Sequence, residues 1–156
     1  YNGPKKKFDL VFYFKKNTNK GNYFLINLIE KISHKYKIAV IGDNYPKFKS
    51  NKNIKSFGTV DRKRAHKIIS LSKFALSSKE NHYSFFVLDS LSKGLSVFYN
   101  KDLRLYSNFK TNMLLPIDFD DLKKSTKILN KTFIKQKEKK FFNFKTINFN
   151  KYLTND

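Results

Sequence analysis

The feature that most constrains this chain is an alternation. Short runs of consecutive apolar residues are each followed by a stretch whose apolar residues fall three and four apart. The run Asp9-Leu10-Val11-Phe12-Tyr13-Phe14 suits a strand buried on both faces of a parallel sheet, because it keeps no polar face for water. After a loop at 15–19, Leu25, Leu28, Ile29 and Ile32 form one stripe along a helix. The same logic predicts strands at 37–41, 54–57, 73–77, 95–99 and 112–115, with Pro116 ending the last. Further helices are expected behind Asp61 as an N-cap, from the 78–83 loop to Gly94 as its stop, from Asp118 through Phe133, and over 141–153. Strands alternating with helices give an α/β class, a doubly wound parallel sheet of about six strands with a carboxyl-terminal helix. Ligands of such sheets bind beyond the carboxyl ends of the strands. The loops at 14–20, 42–46, 58–61, 77–84 and 99–108 are therefore where chemistry is sought.

Composition bounds the rest. The 156 residues suit one domain, and 40% hydrophobic residues with seventeen Phe and nine Tyr are far too many for a disordered chain. No apolar run approaches the ~18 residues of a membrane span, and the amino end, Tyr1-Asn2-Gly3-Pro4-Lys5-Lys6-Lys7, is not a signal peptide. The absence of Cys removes disulfides and thiolate sites and suits a cytoplasmic location. Residues 1–7 read as a connector and 8–156 as the domain, with a further segment expected ahead of Tyr1. The formal charge of +21 would fit a polyanionic partner, but only three of the thirty-three basic residues are Arg. A nucleic-acid reader is expected to use Arg for bidentate contacts, whereas abundant Lys, Asn, Ile, Phe and Tyr reflect A/T-rich codons. Compositional bias is the preferred explanation. Nucleic acid is not an expected partner, and peripheral contact with an anionic membrane, at its inner face, stays open.

Two loops carry candidate chemistry. The first, Lys15-Lys16-Asn17-Thr18-Asn19-Lys20-Gly21, places cations between a strand end and a helix start, where a phosphate is favoured. Neither a P-loop nor a dinucleotide fingerprint is present, and taken alone this segment is better read as an ordinary Lys-rich surface loop. The second runs from Ser77 through Glu80, Asn81, His82, Tyr83 and Ser84 to Asp89. Amides near Ser84 would face an anion at the helix start, and Asp89 could accept hydrogen bonds from a ribose diol. Asp89 could equally be an exposed helix acid, and Glu80 a loop residue paired with a Lys. His82 beside Tyr83 could be base machinery, although a lone loop His is more often a surface residue. His34 and His66 read as solvent-facing. Three His, no Cys and no carboxylate cluster predict no metal site.

In this order the segments resemble the carboxyl-terminal domain of the retaining GT-B glycosyltransferases known as glycosyl transferases group 1, a Rossmann-like half of a GT-B fold. Phe14-Lys15 and Lys20-Gly21 stand where that family has Gly-Arg and Lys-Gly. Ile41-Gly42-Asp43 and Phe57-Gly58-Thr59-Val60 match its next two strand ends. Asp89, followed by Lys93-Gly94-Leu95-Ser96-Val97, matches the second acid of its Glu pair. The first acid is either Glu80, with a one-residue loop insertion, or replaced by Asn81; Glu80 is preferred. The family's Gly-Gly-x-x-Glu loop is not visible between Asn100 and Asn108, while residues 142–152 resemble its closing helix.

The resemblance implies Lys15 and Lys20 on a donor diphosphate, Glu80 on the donor sugar and Asp89 on the ribose. Gly42, Asn81, His82, Tyr83 and Ser84 would complete the donor site. It implies transfer of a hexose from a nucleoside-diphosphate sugar to a glycan or lipid-linked acceptor, with retention and without a metal or other cofactor. The acceptor side would belong to an amino-terminal domain, so this chain alone is expected to turn over nothing. A degenerate, non-catalytic nucleotide-sugar or protein-binding module is the alternative.

Overall fold

The structure, a computed structural model, describes residues 5–16, 22–79, 84–103 and 111–138. Its centre is β1 (Phe8–Phe14), which pairs in parallel with β2 (Ile38–Gly42) on one side and β4 (Ser72–Leu76) on the other. β3 (Ile54–Ser56) lies outside β2, and β5 (Ser96–Asn100) and β6 (Leu114–Ile117) lie outside β4. The order β3-β2-β1-β4-β5-β6 makes a doubly wound, all-parallel sheet. The chain builds outward from β1, then crosses back to β1's other side. The crevice at the carboxyl ends of β1 and β4 is therefore the switch point.

The period-two alternation of the strands sets two unequal faces. One carries Leu10, Phe12, Phe14, Ile38, Val40, Phe74, Leu76 and Phe98, all buried. It is covered by α1 (Asn22–Ile32), the one-turn α2 (Pro46–Lys49) and α5 (Leu122–Glu138), through Leu25, Leu28, Ile29, Phe48, Leu129 and Phe133. The other face offers Val11, Ala39, Ile41, Ala75 and Val97 to Ile68 and Ile69 of α3 (Arg62–Ser70) and Val87 and Leu91 of α4 (Phe85–Ser92). Aromatic rings fill the first face, while the small Ala39 and Ala75 leave room for α3 and α4 to sit close on the second.

Several sequence expectations shift. Pro116 lies inside β6 rather than ending the strand, and an edge strand tolerates it because the missing N–H has no ladder partner to lose on the open side. The helix α5 does not open at Asp118. Asp121 caps it, its Oδ1 accepting the Lys124 N–H at 2.8 Å, while Asp118 forms an ion pair with Lys101 at 2.7 Å in the preceding turn. The loop after β2 contains α2, with Pro46 at its first position, where a missing N–H costs nothing. In the predicted connector, the Lys6 ammonium donates to Ser70 O at 2.9 Å and the Lys7 N–H to Leu71 O at 2.7 Å. The predicted closing helix at 141–153 lies outside the described residues. Among those described, no helix is long and apolar enough to cross a membrane.

Candidate functional site

A cavity of about 340 Å³ opens at the switch point. Tyr13 and Lys15 line it from the end of β1, Asn22 and Leu25 from α1, Leu76 and Ser78 from the end of β4, and Ser84, Phe85 and Phe86 from the start of α4. The backbone around Lys15 is clamped from both sides. Asp43 donates its N–H to Phe14 O and accepts the Lys16 N–H on Oδ2, each at 2.8 Å. Asn22, the first residue of α1, donates Nδ2 to Lys15 O at 2.8 Å and to Lys16 O at 3.2 Å.

Ser84 is the N-cap of α4, its Oγ accepting the Val87 N–H at 3.3 Å. The amides of Phe85 and Phe86, in the first turn, have no carbonyl within the helix to donate to. With the helix dipole behind them they favour an anion, and Lys15 lines the same cavity. Beyond the carboxyl ends of β4 and β5, Lys79 lies 3.5 Å from Asp120 and Lys101 2.7 Å from Asp118. Among the described residues no three His, Cys, Asp or Glu come together as a metal site.

Asp89 does not line the cavity. It sits in the second turn of α4 and faces α3, where Arg62 Nη2 lies 3.0 Å from Oδ1 and His66 Nε2 lies 2.9 Å from Oδ2. Burial works against its charge, yet the hydrogen bond and positive charge of Arg62, with the His66 imidazole beside it, hold the carboxyl below the usual carboxylate range. His66 is thus half-buried against an acid rather than solvent-facing, its Nε2 off the line of a straight hydrogen bond.

Protein-family models give no match to this chain, and curated protein sequences give none either. Solved structures do. The GtfA/B complex matches 88% of this chain over 30% of its own, at 14% identity and a TM-score of 0.59. The Escherichia coli (E. coli) heptosyltransferase WaaC with ADP-2-deoxy-2-fluoro heptose matches 87% over 45%, at 12% identity and a TM-score of 0.53. The Methanocaldococcus jannaschii UDP-GlcNAc 2-epimerase in complex with UDP-GlcNAc and UDP matches 91% over 41%, at 14% identity and a TM-score of 0.60. The fold is that of a GT-B half. This chain spans less than half the length of each of these structures.

Within that GT-B half the structure brings two of the expected donor-site residues, Lys15 and Ser84, to one cavity. Gly42 lies under the end of β1, where its backbone takes φ +106° and packs against Phe14 O. Lys20, Glu80, Asn81, His82 and Tyr83 lie outside the described residues. Sequence reasoning missed Tyr13, Asn22 and Phe85 as lining residues. It also missed Arg62 with His66, although two basic residues four apart on a helix share a face and Arg is rare in this chain.

The Asp89 cluster carries a pH dependence. A folded-state carboxyl held below its ordinary pKa adds stability above the unfolded pKa and loses it as the pH falls through the folded one. Asp89→Asn should therefore cost ~1 kcal/mol at pH 7, a modest figure because Arg62 is 68% exposed. The gap between wild type and variant should narrow as the pH falls below the ordinary carboxylate range and through the lowered folded-state pKa. Thermal unfolding of both proteins at several pH values checks this, and a gap that does not depend on pH would contradict it.

Proposed function

We propose that this chain is the donor-binding half of a glycosyltransferase of GT-B architecture. The switch-point cavity takes a nucleoside-diphosphate sugar, whose diphosphate lies against the first-turn amides of α4 and the Lys15 ammonium. The observation that supports this most is the convergence of Lys15 and the Ser84-capped helix start on one cavity at the switch point. The similarity to structures that hold ADP-2-deoxy-2-fluoro heptose, or UDP-GlcNAc and UDP, supports the same ligand class. A cation and oriented amides stabilise a departing diphosphate by preorganised electrostatics, with no metal in the scheme. In this reading Lys20 joins Lys15 on the diphosphate, Glu80 meets the sugar, and Asn81, His82 and Tyr83 contribute to donor binding. Asp89 serves the ribose only by exchanging Arg62 and His66 for hydroxyl donors. Transfer of a hexose with retention, to a glycan or lipid-linked acceptor held by another domain, completes the proposal. A non-catalytic nucleotide-sugar module is the second reading, favoured by the Asp89 carboxylate being held by Arg62 and His66. Hydrolysis or transfer of a donor sugar by the full-length protein separates the two.

UDP, ADP or GDP should raise the melting temperature of the chain, since a ligand of the native state stabilises it by RT ln(1 + [L]/Kd). Lys15→Ala removes a charged donor and should weaken the preferred nucleotide by roughly ten- to hundred-fold. Lys131→Ala, on the exposed side of α5, lowers the net charge equally and should change little. Calorimetry at constant salt reads the difference, and equal affinities for wild type and Lys15→Ala would remove Lys15 from the site.

A further inference from the structure

Among the described residues, four large apolar side chains are exposed: Tyr13, Tyr23, Phe85 and Ile134. Two of them, Tyr13 and Phe85, line the switch-point cavity. Phe85 is the more exposed of the two, at 77%. It is the first residue of α4, so its ring projects beside the amides that favour an anion. The ring is not left to swing. The Arg62 guanidinium stands 5.7 Å from its centroid, within cation–π range, and Arg62 is itself fixed by Asp89 at 3.0 Å. A ring braced from a neighbouring helix, yet largely open to solvent, is poorly explained as packing. It is well suited to a flat aromatic partner.

We infer that Phe85, braced by Arg62, is the stacking platform for the base of the bound nucleotide. The inference rests on the proposed reading of the cavity as a nucleotide site and adds the residue that distinguishes a nucleotide from a bare diphosphate. Stacking on an aromatic face tolerates any base, because every base offers a π-face. Base identity is then set by other groups, and Phe85 sets nucleotide against pyrophosphate. It also assigns the Asp89–Arg62 pair a purpose that needs no direct contact with ligand: holding the guanidinium over the ring.

The test compares UDP, ADP and inorganic pyrophosphate on the 156-residue chain by calorimetry at constant salt. Phe85→Ala should weaken UDP and ADP by about five- to a hundred-fold and leave pyrophosphate unchanged. Phe85→Tyr should keep wild-type affinity, and Phe85→Leu, apolar but without a π-face, should behave like Phe85→Ala. Ile134→Ala, an exposed apolar residue of α5 outside the cavity lining, is the control and should bind as wild type. Unfolding temperatures measured alongside confirm that each variant is folded. Equal affinities of wild type and Phe85→Ala for UDP and ADP would overturn the platform while leaving the nucleotide site standing. An equal loss for nucleotides and pyrophosphate would overturn it too, placing Phe85 in support of the helix start. A wild type that binds neither UDP nor ADP would remove the nucleotide site itself, and the platform with it.

Discussion

Gly42→Ala is expected to cost at least ~3 kcal/mol of stability and to lower the melting temperature by roughly 6–12 °C. Gly42 ends β2 at φ +106°, and a Cβ built there would stand 2.2 Å from Phe14 O and 3.2 Å from Phe14 C. Those atoms are backbone and cannot give way. Phe14 pairs in register with Gly42, and its carbonyl accepts the Asp43 N–H at 2.8 Å. Moving them would pull the end of β1 out of the sheet, and with it Tyr13 and Lys15, which line the cavity. Nucleotide affinity should therefore fall together with stability. Gly94→Ala separates the two causes. Gly94 also has positive φ, at +75°, but nothing lies within 4 Å of an added Cβ, so only the backbone penalty of about 1–2 kcal/mol remains. Urea unfolding of both variants measures the difference. Equal losses would show that the contact between Gly42 and β1 yields without cost.

Much of this architecture is written in apolar periodicity. A strand buried on both faces has to be apolar throughout, and a helix lying on a sheet has to be apolar every third or fourth residue. The central strands are accordingly found within a residue of their expected ends, from β1 at Phe8–Phe14 to β5 at Ser96–Asn100. Local chemistry alone cannot choose between equivalent residues. Asp118 and Asp121 are both good N-caps, and the choice is made by tertiary contacts. The Asp118 N–H donates to Ser125 Oγ at 3.0 Å, and the Ser125 hydroxyl donates back to Asp118 O at 2.6 Å, which folds the segment into a turn ahead of the helix.

The site divides the same way. Lys15 and Ser84 are legible because a strand's carboxyl end and a helix N-cap have fixed places in a doubly wound sheet. Asp89 has a legible position but not legible partners. Whether a helix acid faces ligand, solvent or a neighbouring helix depends on how α3 and α4 lie against each other, and no spacing within α4 encodes that. Phe85 misleads in the other direction. An apolar residue at a helix start reads as core, and only the completed packing leaves its ring in solvent. Gly42 was expected from the motif to be a donor-site residue, and its close contact is with the backbone of β1.

The strongest stability effect should come from Phe133→Ala, at about 3–5 kcal/mol, or roughly 6–20 °C in melting temperature. Phe133 is 4% exposed, and α5 lies on the aromatic face of the sheet largely through it. Its ring stands 4.4 Å from Tyr36, 5.1 Å from Phe74 and 6.0 Å from Phe98, centroid to centroid. Truncation removes one ring from three aromatic pairs and leaves a cavity that stiff neighbouring rings cannot refill. The next residue supplies the control. Ile134 is 53% exposed, and Ile134→Ala should change stability by no more than about 0.5 kcal/mol. Position also matters for function. Tyr36 precedes β2, Phe74 and Phe98 lie at the middle of β4 and β5, and Phe133 does not line the cavity beyond the carboxyl ends of the strands. Distant sites with no shared partners add independently. Saturating nucleotide should therefore raise the stability of Phe133→Ala by the same increment as wild type, although the variant starts far lower. A smaller increment would show that α5 holds the switch point in shape across the sheet, coupling the aromatic core to the ligand site.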